Sequence, residues 1–341
     1  MEYSDPRERI RPLIRQAIDL GDEGAWGKSN EVLLETLQIC NQHLGADHAR
    51  THIAQLILAF NYRAQGRYRE SEELDREVLA QRRRRLGEDH VETAKCLNNL
   101  ALDLKGLGRE EEALYLEKEA LGIMIRVEGE EAQTTMTSMN NLANSYSHHG
   151  RYEEAAELHG RVLESRRRVF NRDDPLVIMS MDLLAVDYRS LGQVDRAIEL
   201  QERAVEIAKT SLGEGHQTTV KCIINLTDTY AALGTEEALD RSVSLLEHAL
   251  ASFQMPDQED NPLTIGLMNN LAAAYTRVDR LHDAKRLLEF CYHWNRKMLG
   301  PEHPRTRLSS DNLIWVLGEL EEVQMSRYAS ERRNTTSHQL F

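Results

Sequence analysis

Cysteine, proline and aromatic residues are all scarce in this chain, and each scarcity closes off a class of protein. The four cysteines, Cys40, Cys96, Cys222 and Cys291, lie far apart, with no CxxC pair and no histidine at ligand spacing. They form neither a disulfide framework nor a zinc site, and read as small buried hydrophobes of a reducing compartment. Only seven prolines interrupt the chain and aromatics make up 6% of it, which suits a helix-rich soluble protein. No apolar run approaches the roughly 20 residues needed to span a bilayer, and the opening MEYSDPRERIRPLIRQ lacks the apolar segment of a signal peptide. Excess positive charge is missing too: 42 lysines and arginines against 56 aspartates and glutamates give a net charge of −14. Nucleic acids and anionic membranes need a basic surface, so neither is an expected partner. There is no GxxxxGK[ST] phosphate loop, no convergent set of nucleophile, base and oxyanion donors, and no metal-ligand cluster. The expectation is a soluble cytoplasmic protein with no enzymatic activity and no cofactor.

What the chain has instead is periodicity. Glycines stand at Gly24, Gly66, Gly108, Gly150, Gly192 and Gly234, each 42 residues from the last. In register with them run Ala17, Ala59, Ala101, Ala143 and Ala185, and the aromatic series Tyr62, Tyr146, Tyr188 and Tyr230. A three-residue insertion around Glu237 shifts the frame, and both columns resume at Ala272 and Tyr275. Self-similarity at such a period marks a solenoid, in which each unit buries its apolar face against its neighbours and no central core has to grow.

One unit, residues 89–127, shows the local logic. Leu97, Leu100, Ala101 and Leu104 recur at the spacing of one helix face. Gly108 ends that helix, as the residue suited to a left-handed C′ position. Ala113, Leu116, Ala120, Leu121 and Met124 then define an antiparallel partner helix. Small residues at Ala101, Ala113 and Ala120 stand where the helices must approach closely.

The run from Met139-Asn140-Asn141-Leu142-Ala143 to Gly150-Arg151-Tyr152-Glu153-Glu154-Ala155 resembles a tetratricopeptide repeat. The 42-residue period and the linkers Leu44 to His48, Leu86 to His90, Leu212 to His216 and Leu299 to His303 resemble the kinesin-light-chain subclass. The resemblance spans roughly residues 10–320 and implies an all-α, right-handed superhelical solenoid of antiparallel helix pairs. Register gives seven pairs, beginning near residues 10, 47, 89, 131, 173, 215 and 260, and a capping helix around 304–320. Residues 1–321 are then the array, and 322–341 a polar, fraying tail. Pro12 suggests that the first helix starts late. No heptads are sustained, so the coiled coil of a motor light chain is absent.

On a helical wheel Lys95, Asn99, Leu102, Asp103 and Gly106 fall opposite the core stripe. The resemblance implies that the first helix of each pair lines a concave groove. The Asn99 column reads Ile57, Asn99, Asn141, Leu183, Asn225, Asn270 and Asn312. An amide both donates and accepts, so it can hold the backbone of an extended peptide of any sequence. The resemblance carries peptide contact over to Asn99, Asn141, Asn225, Asn270 and Asn312, with Lys95, Lys221 and Asp103 beside them. The alternative is that these asparagines bond to the neighbouring helix and stabilise stacking. The adjacent column, with Asn98, Asn140 and Asp182, reads as structural. Lys95, Lys221 and His148 against Asp103, Asp187 and Asp228 suggest a neutral, basic or apolar protein or peptide partner in preference to an acidic one. The expectation is thus a protein-interaction scaffold, monomeric or weakly self-associating. The competing reading is a structural or regulatory array that acts by self-association or by packing within a larger complex. His48, His90, His216 and His303 recur one per linker, too spread to share a metal, and read as caps. His148-His149 and the runs Arg82 to Arg85 and Arg166 to Arg168 end helices, where positive or polar groups suit the dipole.

Overall fold

The computed structural model describes residues 5–253 and 262–337. Among them there are fifteen helices and no strand. They follow one another as α1 (Pro6–Asp22) and α2 (Trp26–His43), α3 (Ala49–Ala64) and α4 (Tyr68–Leu86), α5 (Val91–Gly106) and α6 (Glu110–Glu128), and α7 (Gln133–His148) and α8 (Tyr152–Val169). Then come α9 (Pro175–Ser190) and α10 (Val194–Leu212), α11 (Gln217–Leu233) and α12 (Glu236–Phe253), α13 (Pro262–Arg277) and α14 (Leu281–Leu299), and the unpaired α15 (Pro304–Ser337). The chain divides into two compact units, Met1–Val169 with α1–α8 and Phe170–Phe341 with α9–α15. Within each unit every helix packs on the next.

The 42-residue punctuation has two distinct conformations behind it. Gly108 takes φ +74° and closes the turn inside a pair, whereas Gly87, between pairs, takes φ 91° and ψ 172°. The second region is essentially closed to residues with a Cβ. Around Gly87 the linker is tied in two places: Thr93 Oγ1 donates to the Gly87 carbonyl at 2.9 Å, and the Glu92 N–H donates to His90 Nδ1 at 3.1 Å. The same two bonds recur with Thr51 and His48, Thr219 and His216, and Thr306 and His303. The linker histidines are therefore helix N-caps. Asp174 takes over that role at the start of α9, with its carboxylate accepting from the Leu176 N–H at 2.8 Å.

The alanine column is fully buried at Ala17, Ala59, Ala101, Ala143, Ala185 and Ala272. Ala101 joins Val78, Leu79, Leu97, Leu100, Leu104, Ala120, Ile123 and Met124 in one apolar cluster. The first helix departs from expectation. It starts at Pro6, not at Pro12, because Asp5 caps it by accepting from the Arg7 N–H at 2.9 Å and Pro6 occupies the first turn. Pro12 lies within α1. The last helix runs to Ser337, through most of the stretch read as a tail.

Gly106 gives a direct test of packing. A Cβ there would stand 2.2 Å from Cδ1 of the Tyr68 ring. Helix propensity alone would favour Gly106→Ala by up to about 1 kcal/mol, but the ring would have to leave its site at the start of α4. We expect a net loss of about 1–3 kcal/mol in urea unfolding; a gain would show that the ring moves freely.

Candidate functional site

The expected binding residues are distributed over clefts between successive first helices. In the first unit, Lys95 and Asn99 of α5 and Asn141 of α7 line one cleft of about 480 Å3, with Leu56 and Met124 as apolar lining and Arg82 and Glu92 at its side. Asn99 and Asn141 are half-buried and Lys95 is exposed. Among the described residues neither asparagine amide makes a hydrogen bond, although the Asn99 carbonyl accepts from Arg63 at 3.3 Å and the Asn141 carbonyl from Ser145 at 2.9 Å. Backbone at these positions is fixed while the amides stay available. Lys95 Nζ lies 2.7 Å from Glu92, which also pairs with Arg82 at 2.8 Å. Burial works to raise the Glu92 carboxyl, but the Lys95 hydrogen bond and the Arg82 charge hold it below its ordinary range.

In the second unit, Lys221 and Asn225 of α11 share a cleft of about 290 Å3 with Met179 and Leu183 of α9. Leu183 makes this lining more apolar, as its place in the asparagine column suggests. Here the amide is committed: Asn225 Nδ2 donates to Asp182 at 2.5 Å, and Gln201 donates to the same carboxylate at 3.3 Å. Burial pushes Asp182 up to about 6, against the pull of those two donors. Asn270 donates to the Gly266 carbonyl one turn back at 3.0 Å and so bonds along its own helix. Asn312 is exposed and lines a third cleft, of about 190 Å3, with Arg277 and Trp315. The column thus splits, with free amides at Asn99 and Asn141 and stacking bonds at Asn225. In the adjacent column Asn98 bonds across to Ser138 at 3.2 Å.

Asp103 has to be reassigned. It is fully buried, 0% exposed, and cannot line an open groove. Arg63 of α3 holds it at 2.7 Å through Nε and holds Asp75 of α4 at 2.7 Å through Nη2, and Asp75 is buried as well. One repeat on, Lys105 lies 2.5 Å from Glu117 and donates to Ser145 at 2.6 Å. In the second unit Arg189 donates to Thr229 at 3.3 Å. A polar ladder of period 42 therefore ties α3 to α4 and α5, α5 to α6 and α7, and, in the second unit, α9 to α11. Asp187 is 2% exposed and also leaves the open face, where Asp228 remains exposed. The charge balance behind a preference against acidic partners changes accordingly: two of its three carboxylates do not face solvent.

Another cavity, about 600 Å3, lies between α4 and α6 over Leu100 and Leu104, with Tyr115, Arg76 and Arg83 around it. In neighbouring repeats a tyrosine stands in the place of Leu104 and carries an arginine on its face: Arg67 on Tyr62, Arg151 on Tyr146, Arg196 on Tyr188 and Arg280 on Tyr275, at 4.1–4.4 Å from the ring centre. Arg109, without such a ring, pairs with Glu72 and Glu112. The gap in the tyrosine column at residue 104 was the sequence signal for this cleft.

All four cysteines are buried, and burial raises each thiol, Cys96 to about 11 and Cys291 to about 12, which removes the thiolate. Among the described residues no three histidine, cysteine, aspartate or glutamate side chains are placed to hold a metal ion, and no helix is long and apolar enough to cross a membrane.

Paired helices at a fixed period, with small residues at the close approach and clefts between first helices, define a helical-repeat solenoid. Models of the tetratricopeptide repeat match residues 50–126, 134–210 and 181–255, and a further tetratricopeptide model matches 264–305. The chain belongs to the tetratricopeptide repeat family, whose members are typically protein-interaction scaffolds and generally non-catalytic. It is similar to nearly identical TPR-like repeats of kinesin-light-chain type from Podosopora anserina, at 26% identity over 61% of this chain and 97% of that one, with a TM-score of 0.52. The fold is also that of BtubC (BKLC) from P. vanneervenii, at 22% identity, 74% and 95% coverage and a TM-score of 0.50. The apo form of the quorum sensor NprR from B. thuringiensis shares it at 14% identity, 90% and 87% coverage and a TM-score of 0.53. No curated protein matches the chain.

Proposed function

We propose that this protein is a non-catalytic interaction module that holds an extended peptide segment of a partner protein in the cleft between α5 and α7. The observation that carries the reading is the pair of uncommitted amides, Asn99 and Asn141, in one cleft with Lys95. Each amide can accept from a peptide N–H and donate to a peptide carbonyl, so the pair reads backbone and tolerates many sequences. Leu56 and Met124, in the lining of the same cleft, favour apolar side chains as anchors. The exposed Lys95 leaves room for one acidic residue beside them. Asn225, Asn270 and Asn312 contribute less in this reading, since the first two amides are already bonded within the chain.

The test is selection of peptides from a random displayed library on the full chain, followed by titration of the enriched peptides. Two amide bonds at about 1 kcal/mol each make Asn99→Ala/Asn141→Ala bind roughly 30-fold more weakly, while Asn225→Ala changes little. Unchanged affinity in the double variant would move binding away from this cleft.

A further inference from the structure

We propose that the open face of α15 is a docking surface for a second copy of this chain, packed antiparallel about Ile314. In every earlier first helix the position equivalent to Ile314 is small and covered: Ala17, Ala59, Ala101, Ala143, Ala185 and Ala272 are fully buried, and Thr227 of α11 is 4% exposed. Ile314 is instead 64% exposed, and Leu317 one turn on is 36% exposed. The packed side of α15, with Thr306, Ser309 and Val316, lies on the other flank of the helix and is buried at 1–2%. An isoleucine is too bulky for the close approach that alanine allows within a pair, so another second helix of the same array is a poor fit.

The charges on this face name the occupant. Arg307 and Glu321 each stand seven residues from Ile314, one on either side, and both are exposed. At about 100° and 1.5 Å per residue they fall within 20° of the Ile314 direction and about 10 Å to either end. A two-fold axis at Ile314 therefore sets Arg307 of each copy against Glu321 of the other, which makes two identical cross-pairs. A parallel arrangement would instead set like charges together. Ser310 and Gly318 flank the centre and let the backbones come close. Arg307 exchanges an exposed contact to Glu302 for the new one.

Such a face is small, so the dimer is weak, forming over micromolar concentrations. Sedimentation velocity of the full chain from about 1 to 200 µM should show a monomer–dimer equilibrium. Ile314→Glu should abolish it. Arg307→Glu or Glu321→Arg alone places like charges at both cross-pairs and should weaken it at least tenfold, while the double reversal Arg307→Glu/Glu321→Arg should restore it. These positions are exposed, and unchanged far-ultraviolet circular dichroism would confirm that the variants fold. A wild type that stays monomeric throughout overturns the proposal. So does a dimer indifferent to these variants, or a double reversal that fails to recover.

Discussion

Arg63→Ala is expected to cost about 3–5 kcal/mol of stability in urea unfolding at neutral pH. The guanidinium is 16% exposed and forks between two carboxylates that are each 0% exposed at the side chain, Asp75 and Asp103. It also donates to the Asn99 carbonyl at 3.3 Å. Its removal leaves two buried acids facing each other without a cation, and leaves α3 without its polar tie to α5. Arg63→Lys should fall between, because a point charge cannot serve two acceptors with a rigid fork. The triple variant Arg63→Met/Asp75→Leu/Asp103→Leu should recover most of the loss, since apolar replacement of a whole buried ionic cluster is often neutral. A loss under about 1 kcal/mol for Arg63→Ala would show that the cluster is already neutral or hydrated. A triple variant as unstable as the single one would point to shape, not charge, as the source of the effect.

That cluster marks where sequence reasoning stopped. Glycine and alanine columns were legible because each rests on one local requirement: a positive φ at Gly108, a close helix contact at Ala101. The starts of α3, α5, α7, α9, α11 and α13 fall within a few residues of the register expected from those columns. Asp103 was misplaced because a wheel drawn for one helix pair has one buried stripe. In a stacked array each first helix has a second buried flank, turned to the preceding pair, and Asp103 lies on it between Arg63 and Asp75. The signal was present as a second polar period, Arg63, Lys105 and Arg189 with Asp75 and Glu117, but acid and base at this spacing look like solvent-facing charge until the neighbouring helix is in place. The asparagine column shows a similar limit. Identical residues at Asn99 and Asn225 have different fates because Asp182, 43 positions before Asn225, accepts from its amide, whereas the residue 43 positions before Asn99 is Leu56, which offers no side-chain acceptor. At the N-terminus Pro12 drew attention from Pro6, whose cap, Asp5, fixes the true start.

Asp75→Asn should flatten the pH dependence of stability and raise stability at pH 8. In the folded chain burial, and then the neighbouring Asp103, push the Asp75 carboxyl up to about 8, over the opposing attraction of Arg63. Asp75 Oδ1 and Asp103 Oδ2 are both buried and have no other hydrogen-bond partner, an arrangement that a single shared proton satisfies. The folded state therefore holds a proton that the unfolded chain, with its ordinary value of 3.8, has released. Stability from this group is complete below pH 3.8 and declines as pH rises toward 8, by up to about 1.4 kcal/mol per pH unit. Asp182 acts in the same sense but only up to about pH 6. His52 acts oppositely, because burial and Arg82 hold its ring below the usual value. Both are common to wild type and variant, so the difference between the two proteins isolates Asp75. An asparagine keeps an acceptor for Arg63 and presents a permanent donor to Asp103, which is what the protonated acid does. Urea midpoints at intervals from pH 5 to 8 should then diverge steadily in favour of the variant, the gap widening by roughly 1–4 kcal/mol between pH 5 and pH 8. Parallel curves would mean that Asp75 is ionised in the fold throughout, with Arg63 strong enough to hold two carboxylates at once.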